Sequence, residues 1–404
     1  MYHVTVAGGG SMVRGRFSFL VCLLLVLAGA ASSLLFAAER VVDLTAADGT
    51  KLKATFFNAD KPGPGVLLLH QCNRQRKVWD GLANQLAGAG INVLTLDLRG
   101  FGESGGTPMQ QATPEQARET QDKWAGDIDL ALQYLESQPG VKRDVIGVGG
   151  ASCGVNNSVQ VARRHPEVKS LVLLSGNTDL NGRNFLRKDK TIPVFFAYAD
   201  DDEFKQSIIA IQWLYSITAN PSKTLVSYPN GGHGADIFPK HPELPQQIVD
   251  WYVTTLITTP GHAPVPKQAV AVPANIQVLN TIDQPDGAAK AEQMLMDARK
   301  QDPKAAAPFD EALVNFMGYE HMQDGDLKGA IQIFKLNAMA FPNSPNVYDS
   351  LSDAYLADGQ KQLAAENAKK ALELLPSDTT DDQQRKDGIK KSAEDKLKQL
   401  GGSS

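Results

Sequence analysis

At 404 residues the chain is too long for one ordinary hydrophobic core, so two domains are expected. A composition of 42% hydrophobic and 21% charged residues is that of a globular protein. A net charge of −5 and only 7% aromatic residues argue against nucleic acid as a partner and against binding to an anionic membrane surface.

The first segment reads as a leader. Arg14 and Arg16 precede the apolar run F-S-F-L-V-C-L-L-L-V-L-A-G-A; Ala28 and Ala30 stand at cleavage positions, with Ala37-Ala38 as a second site. This predicts a secretory signal peptide within residues 1–38 and a secreted or periplasmic protein, with no membrane contact beyond that segment. The alternative is an uncleaved anchor helix, because apolar residues continue to Ala38. A start at Met12 would give a compact basic leader. Of the 3 cysteines, Cys22 falls in this segment, which leaves Cys72 and Cys153, too few for a disulfide framework.

From residue 39 to 257 strand and helix patterns alternate. V-V-D-L-T-A-A-D-G-T-K-L-K-A-T-F-F carries a D-G turn signal and predicts an edge hairpin. Near-continuous apolar runs follow at 66–70, 91–98, 144–150, 171–176, 192–199 and 224–229, as expected for strands buried on both faces. Helical stretches such as 124–135 and 158–164 separate them. The prediction is an α/β fold with a mostly parallel, doubly wound sheet.

Residues 258–287 are rich in Pro, Ala and Gly and read as a linker or surface wrap. Beyond them, over 288–400, the period becomes helical and repeats. Gly325 and Gly359, Ala330 and Ala364, and Pro342 and Pro376 are each 34 residues apart, which resembles the tetratricopeptide period. An all-α helical repeat domain is expected, with helices at 288–300 and 383–400 covering its ends.

The stretch G-G-A-S-C-G-V-N-N-S sets two nucleophiles side by side, Ser152 and Cys153. A nucleophile elbow turns sharply from strand to helix and needs small residues two before and two after its tip. Around Ser152 these are Gly150 and Gly154; around Cys153 they would be Ala151 and Val155, and a β-branched residue fits poorly there. Ser152 therefore takes the tip, and Cys153 supplies the next backbone N–H. Thiol chemistry at Cys153 stays as a rival.

Four motifs in one order carry a resemblance. L-L-L-H-Q-C-N, L-D-L-R-G-F-G-E-S, G-A-S-C-G and G-G-H-G make the chain from about Val41 to Leu256 resemble the α/β-hydrolases, more narrowly the dienelactone hydrolase-like and carboxylesterase-like enzymes. A serine needs a base, and His233, in a glycine-flanked loop after the last strand, is the candidate. The base needs an acid to fix its tautomer. Asp202 in A-D-D-D-E-F matches the family's spacing best, Asp201 is second and Asp236 is a weaker rival. The resemblance implies an oxyanion hole made by the backbone N–H of Cys153 with that of Cys72 or Gln71, and no metal or cofactor.

The implied function is an exported serine hydrolase that cleaves small-molecule carboxylic esters, with the helical domain binding a protein or peptide. The short segment between the strands at 171–176 and 192–199 leaves no room for a substantial cap, so an open site is expected. A serine peptidase on the same fold and a non-catalytic scaffold acting through its helices are the other readings. The scaffold reading is prompted by His70-Gln71 standing where the family has His-Gly, since Gln takes positive φ at a cost. Cys72 and Cys153 would both flank the oxyanion hole, either as a bridge or as two small buried thiols.

Overall fold

The computed structural model describes residues 39–266, 270–303 and 305–401. The leader segment expected over 1–38 lies outside these residues.

Eight strands form one sheet: β1 (Glu39–Thr45), β2 (Lys51–Phe57), β3 (Gly63–Leu69), β4 (Asn92–Leu96), β5 (Val141–Ala151), β6 (Val168–Leu174), β7 (Val194–Ala199) and β8 (Lys223–Tyr228). Their order across the sheet is β1-β2-β4-β3-β5-β6-β7-β8. The β1–β2 and β2–β4 pairings are antiparallel, and all others are parallel. The D-G turn closes the edge hairpin as expected, with Gly49 at φ +84°.

Period-2 alternation along the strands builds two cores. Leu67, Leu69, Leu94, Leu96, Leu171, Leu173, Val194 and Phe196 point to one face; Val66, Leu68, Val93, Val172, Leu174, Phe195 and Ala197 point to the other. Helices α1 (Asp80–Gly88), α2 (Pro114–Gln121), α3 (Trp124–Ser137), α4 (Cys153–Arg164), α5 (Leu180–Lys188), α6 (Lys205–Ile217) and α7 (Glu243–Tyr252) connect or follow the strands. α3, α4, α5 and α6 close the first core through Ile128, Leu132, Val159, Leu186 and Leu214; α1 and α7 close the second through Leu82, Leu86, Leu244 and Ile248. Each such fully buried aliphatic side chain contributes about 1.5–3 kcal/mol.

The C-terminal part is helical: α8 (Ala274–Ile282), α9 (Gly287–Gln301), α10 (Glu311–Gln323), α11 (Leu327–Ala340), α12 (Pro345–Ala357), α13 (Lys361–Leu374) and α14 (Gln383–Gly401). The first core continues into it through Ile276, Leu279, Leu295, Val314 and Met317. Residues 258–287, expected to be a linker or surface wrap, contain a buried helix over part of their length. Ile276, Leu279 and Ile282 recur every third residue, and this apolar stripe folds α8 and buries it, so the Pro- and Ala-rich character ends before residue 274.

A buried ionic cluster joins the two parts. Arg183 on α5 donates to both carboxylate oxygens of Asp283 (2.9 and 2.8 Å) and to Glu320 on α10 (3.1 and 2.7 Å). Arg187 adds a second ion pair to Asp283 at 2.6 Å. The Arg183 guanidinium also lies over the Trp213 ring, 4.6 Å from its centroid. Burial pushes the Glu320 carboxyl up to about 7.

Candidate active site

The strands deliver the candidate side chains to one edge. Ser152 follows β5, Asp202 follows β7 and His233 follows β8, so all three leave the carboxyl ends of parallel strands.

Ser152 has φ +53° and ψ −119°, a strained conformation for a residue with a side chain, and α4 begins at the next residue. The flanking glycines are there because backbones nearly touch. A Cβ on Gly150 would lie 2.1 Å from the Gly154 carbonyl oxygen, and one on Gly154 would lie 2.3 Å from that of Leu69. The positive end of the α4 dipole faces the turn and favours negative charge beside Ser152.

His233 is 2% exposed, and its Nδ1 lies 2.8 Å from Asp202 Oδ2. The other carboxylate oxygen of Asp202, itself fully buried, accepts the Phe204 N–H at 2.8 Å. A carboxylate partner places the imidazole proton on Nδ1 and leaves Nε2 unprotonated as an acceptor. The Phe204 ring packs edge-on against the imidazole, centroids 4.7 Å apart. The histidine loop meets the elbow directly: a Cβ at Gly234 would lie 3.1 Å from that of Ala151, the neighbour of Ser152.

The other carboxylates go elsewhere. Asp201 accepts the Gly232 N–H at 2.7 Å, and that bond lowers its carboxyl below the usual range. Asp236 forms a two-point pair with Arg74 at 3.0 and 2.8 Å.

The loop after β3 carries Gln71 and Cys72. Cys72 is disulfide-bonded to Cys153, with Cα atoms 5.9 Å apart, so the backbones expected to flank an oxyanion are neighbours. The bridge takes up the Cys153 sulfur and overturns both the reading of two free thiols and that of Cys153 as nucleophile, since a disulfide sulfur has no thiolate to attack with. His70 is fully buried. Its Nε2 accepts the Leu98 N–H at 3.0 Å, so Nδ1 bears the proton donated to the Gln71 carbonyl at 2.8 Å. Burial pushes this imidazole below its ordinary pKa, and it stays neutral as a loop brace.

The difficulty foreseen at Gln71 does not arise. The non-glycine residues with positive φ among the described residues are Asp60, Ser152, Ser175 and Asp286, so Gln71 keeps ordinary backbone geometry. What the sequence did not reveal is its side chain, which is buried against the histidine loop.

The turn after β4 is structural. Asp97 accepts the N–H groups of Arg76 (2.7 Å) and Glu103 (2.9 Å) and pairs with the buried Arg76 guanidinium. Between this turn and the loop after β3 lies a cleft of about 460 Å³, lined by Asn73, Arg74, Phe101, Pro108 and Met109 among others. Among the described residues no cluster of His, Cys, Asp or Glu is arranged to hold a metal ion, and no helix is long and apolar enough to cross a membrane.

Residues 52–238 match the model of the dienelactone hydrolase family. A thiohydrolase, aneE of Aspergillus aculeatus, is 28% identical over 134 residues, 32% of this chain and 39% of that protein. An uncharacterized protein of Mycobacterium tuberculosis, Rv2307c, is 33% identical over 152 residues, 37% of this chain and 50% of that protein. The chain thus spans half or less of the length of these two relatives. Among solved structures, the Pyrococcus furiosus esterase Pf2001 is similar over 55% of this chain and 94% of its own, with 19% identity and a TM-score of 0.43. A cold-adapted esterase from an Arctic intertidal metagenomic library is similar over 55% of this chain and 95% of its own, at 23% identity and a TM-score of 0.44. The match to the dienelactone hydrolase family model thus covers residues 52–238, a span that holds most of the parallel sheet and the elbow.

Proposed function

We propose that the protein is an exported serine hydrolase that cleaves small carboxylic esters through an acyl-enzyme. The observation that carries this reading is the buried hydrogen bond between His233 and Asp202, beside a strained turn that holds Ser152 at its tip. His233 Nε2 takes the Ser152 hydroxyl proton as Oγ attacks the ester carbonyl carbon. The tetrahedral oxyanion is held by the backbone N–H of Cys153 and that of Cys72 or Gln71, aided by the α4 dipole. The imidazolium then protonates the departing alkoxide. Water, activated by the same imidazole, releases the acid. Asp202 keeps the ring in the right tautomer and stabilises its charged form.

The cleft lined by Arg74, Phe101 and Met109 adjoins the loop after β3 and is the candidate subsite for one arm of the ester, although Ser152 and His233 do not line it. The Cys72–Cys153 bridge supports export, because disulfides persist in oxidising compartments. For the helical region we propose a docking role for a protein or peptide. Two helix pairs support reading it as tetratricopeptide-like: α10 and α12 begin at 311 and 345, and α11 and α13 begin at 327 and 361, both 34 residues apart.

A fluorophosphonate probe tests the hydrolase reading on the full chain. The expected adduct maps to Ser152 and disappears in Ser152→Ala. An adduct elsewhere, or none on folded protein, rejects the reading. Parallel assays on acyl esters and peptide amides separate an esterase from a peptidase.

A further inference from the structure

We propose that the side chain of Gln71 is a positioning residue for His233; the inference rests on the triad reading above. His233 sits among three glycines, Gly231, Gly232 and Gly234, in a loop whose backbone has unusual freedom. Asp202 holds one ring nitrogen and does not by itself fix where the backbone carries the ring. Gln71 supplies that. Its Nε2 donates to the His233 carbonyl oxygen at 3.1 Å, and its Oε1 accepts the Ala235 N–H at 2.8 Å.

The carboxamide thus acts as a peptide group from a neighbouring strand would, bonding to the backbone on both sides of Gly234. The fit explains the glycine between them: a Cβ there would stand 2.5 Å from Gln71 Oε1, and Gly234 has φ +61°. The same Nε2 lies 3.4 Å from Asp236 Oδ2, and Asp236 is tied in turn to Arg74 of the Gln71 loop. Gln71 is fully buried, so a shorter side chain would leave the His233 carbonyl and the Ala235 N–H unpaired away from water. The loop after β3 therefore sets the depth of the general base as well as flanking the oxyanion. The residue that departs from the His-Gly pair of similar enzymes is the one that does this.

The test uses the full chain with Gln71→Ala and Gln71→Met; Met fills the space of Gln without its amide and guards against loss of folding. Circular dichroism establishes that each variant is folded. Two readouts follow: kcat and KM on a p-nitrophenyl acyl ester, and the low-field NMR resonance of the His233 Nδ1 proton, which needs no turnover. A displaced ring predicts kcat about 10- to 100-fold lower with KM nearly unchanged, and a shifted or broadened resonance in both variants. Turnover within about twofold of the parent in folded Gln71→Met overturns the inference. So does a resonance identical to the parent's, whatever happens to kcat. Failure of the triad reading would show separately, as a parent protein that neither hydrolyses the ester nor takes a serine probe.

Discussion

His233 Nδ1 and Asp202 Oδ2 lie 2.8 Å apart, in a site where the imidazole is 2% exposed and the carboxylate fully buried. These residues stand 31 apart in the chain and meet because β7 and β8 are parallel neighbours whose ends carry them. Replacing Asp202 by Asn would present an amide N–H to the ring and turn its tautomer over. The expected loss in kcat is about 10³- to 10⁴-fold, with substrate binding retained. Steady-state kinetics of Asp202→Asn against Asp201→Asn checks it; equal losses from the two variants would count against the assignment of the acid.

The Cys72–Cys153 bridge closes a span of 81 residues and ties the loop after β3 to the residue following Ser152. Removing it with the double variant Cys72→Ser/Cys153→Ser should cost about 2–5 kcal/mol of stability. Turnover should fall as well, because two of the backbone groups assigned to the oxyanion lose their mutual restraint. Chemical denaturation and kinetics of the parent with and without a dithiol reductant provide the measurement. Identical midpoints in both forms would show that the bridge constrains nothing.

Arg183 is fully buried and bonds to two carboxylates, Asp283 and Glu320, on either side of α9 in sequence. Arg183→Met would leave the Asp283 carboxylate buried with only Arg187 to face it, and Glu320 without its hydrogen-bond partner. A destabilisation of about 3–5 kcal/mol is expected. Urea unfolding followed by fluorescence reads it out, and a change below about 1 kcal/mol would mean that the apolar contacts alone hold α8–α10 in place.

Glu320 gives the fold a pH dependence of definite sign. Burial raises its carboxyl from an ordinary 4.5 to about 7, so the folded chain holds a proton there that the unfolded chain has lost. Its contribution is fully present below about pH 4.5 and is lost as pH rises through about 7. Glu320→Gln, which cannot ionise, should flatten the stability profile across this window. Thermal midpoints of both proteins between those two pH values decide it, and parallel profiles would place the titration elsewhere.

How far the sequence could be read depended on the range of the interaction. Gly150 and Gly154 identified Ser152 as the tip of the turn because the clash they avoid lies within a few residues and with the adjacent strand. The apolar runs of β3 to β7 were legible because burial on both faces leaves no room for polar alternation. Helix α8 was missed because its apolar stripe follows a Pro-rich stretch that dominates the local composition. The Gln71 side chain was unreadable for a different reason. Its partners lie 162 and 164 residues away, and no local pattern encodes a contact across that distance.

Residue order alone thus determined the alternation of strand and helix, the turn that exposes a serine, and which histidine and carboxylates were worth considering. Those are consequences of steric fit and hydrophobic period, which act over a few neighbours. Tertiary structure decided which of three adjacent aspartates reaches the imidazole, that the two sulfurs are joined, and that a glutamine spans from one loop to another. Each of these is a meeting of side chains from separate strand ends. It exists only once the sheet has fixed the spacing and order of those ends.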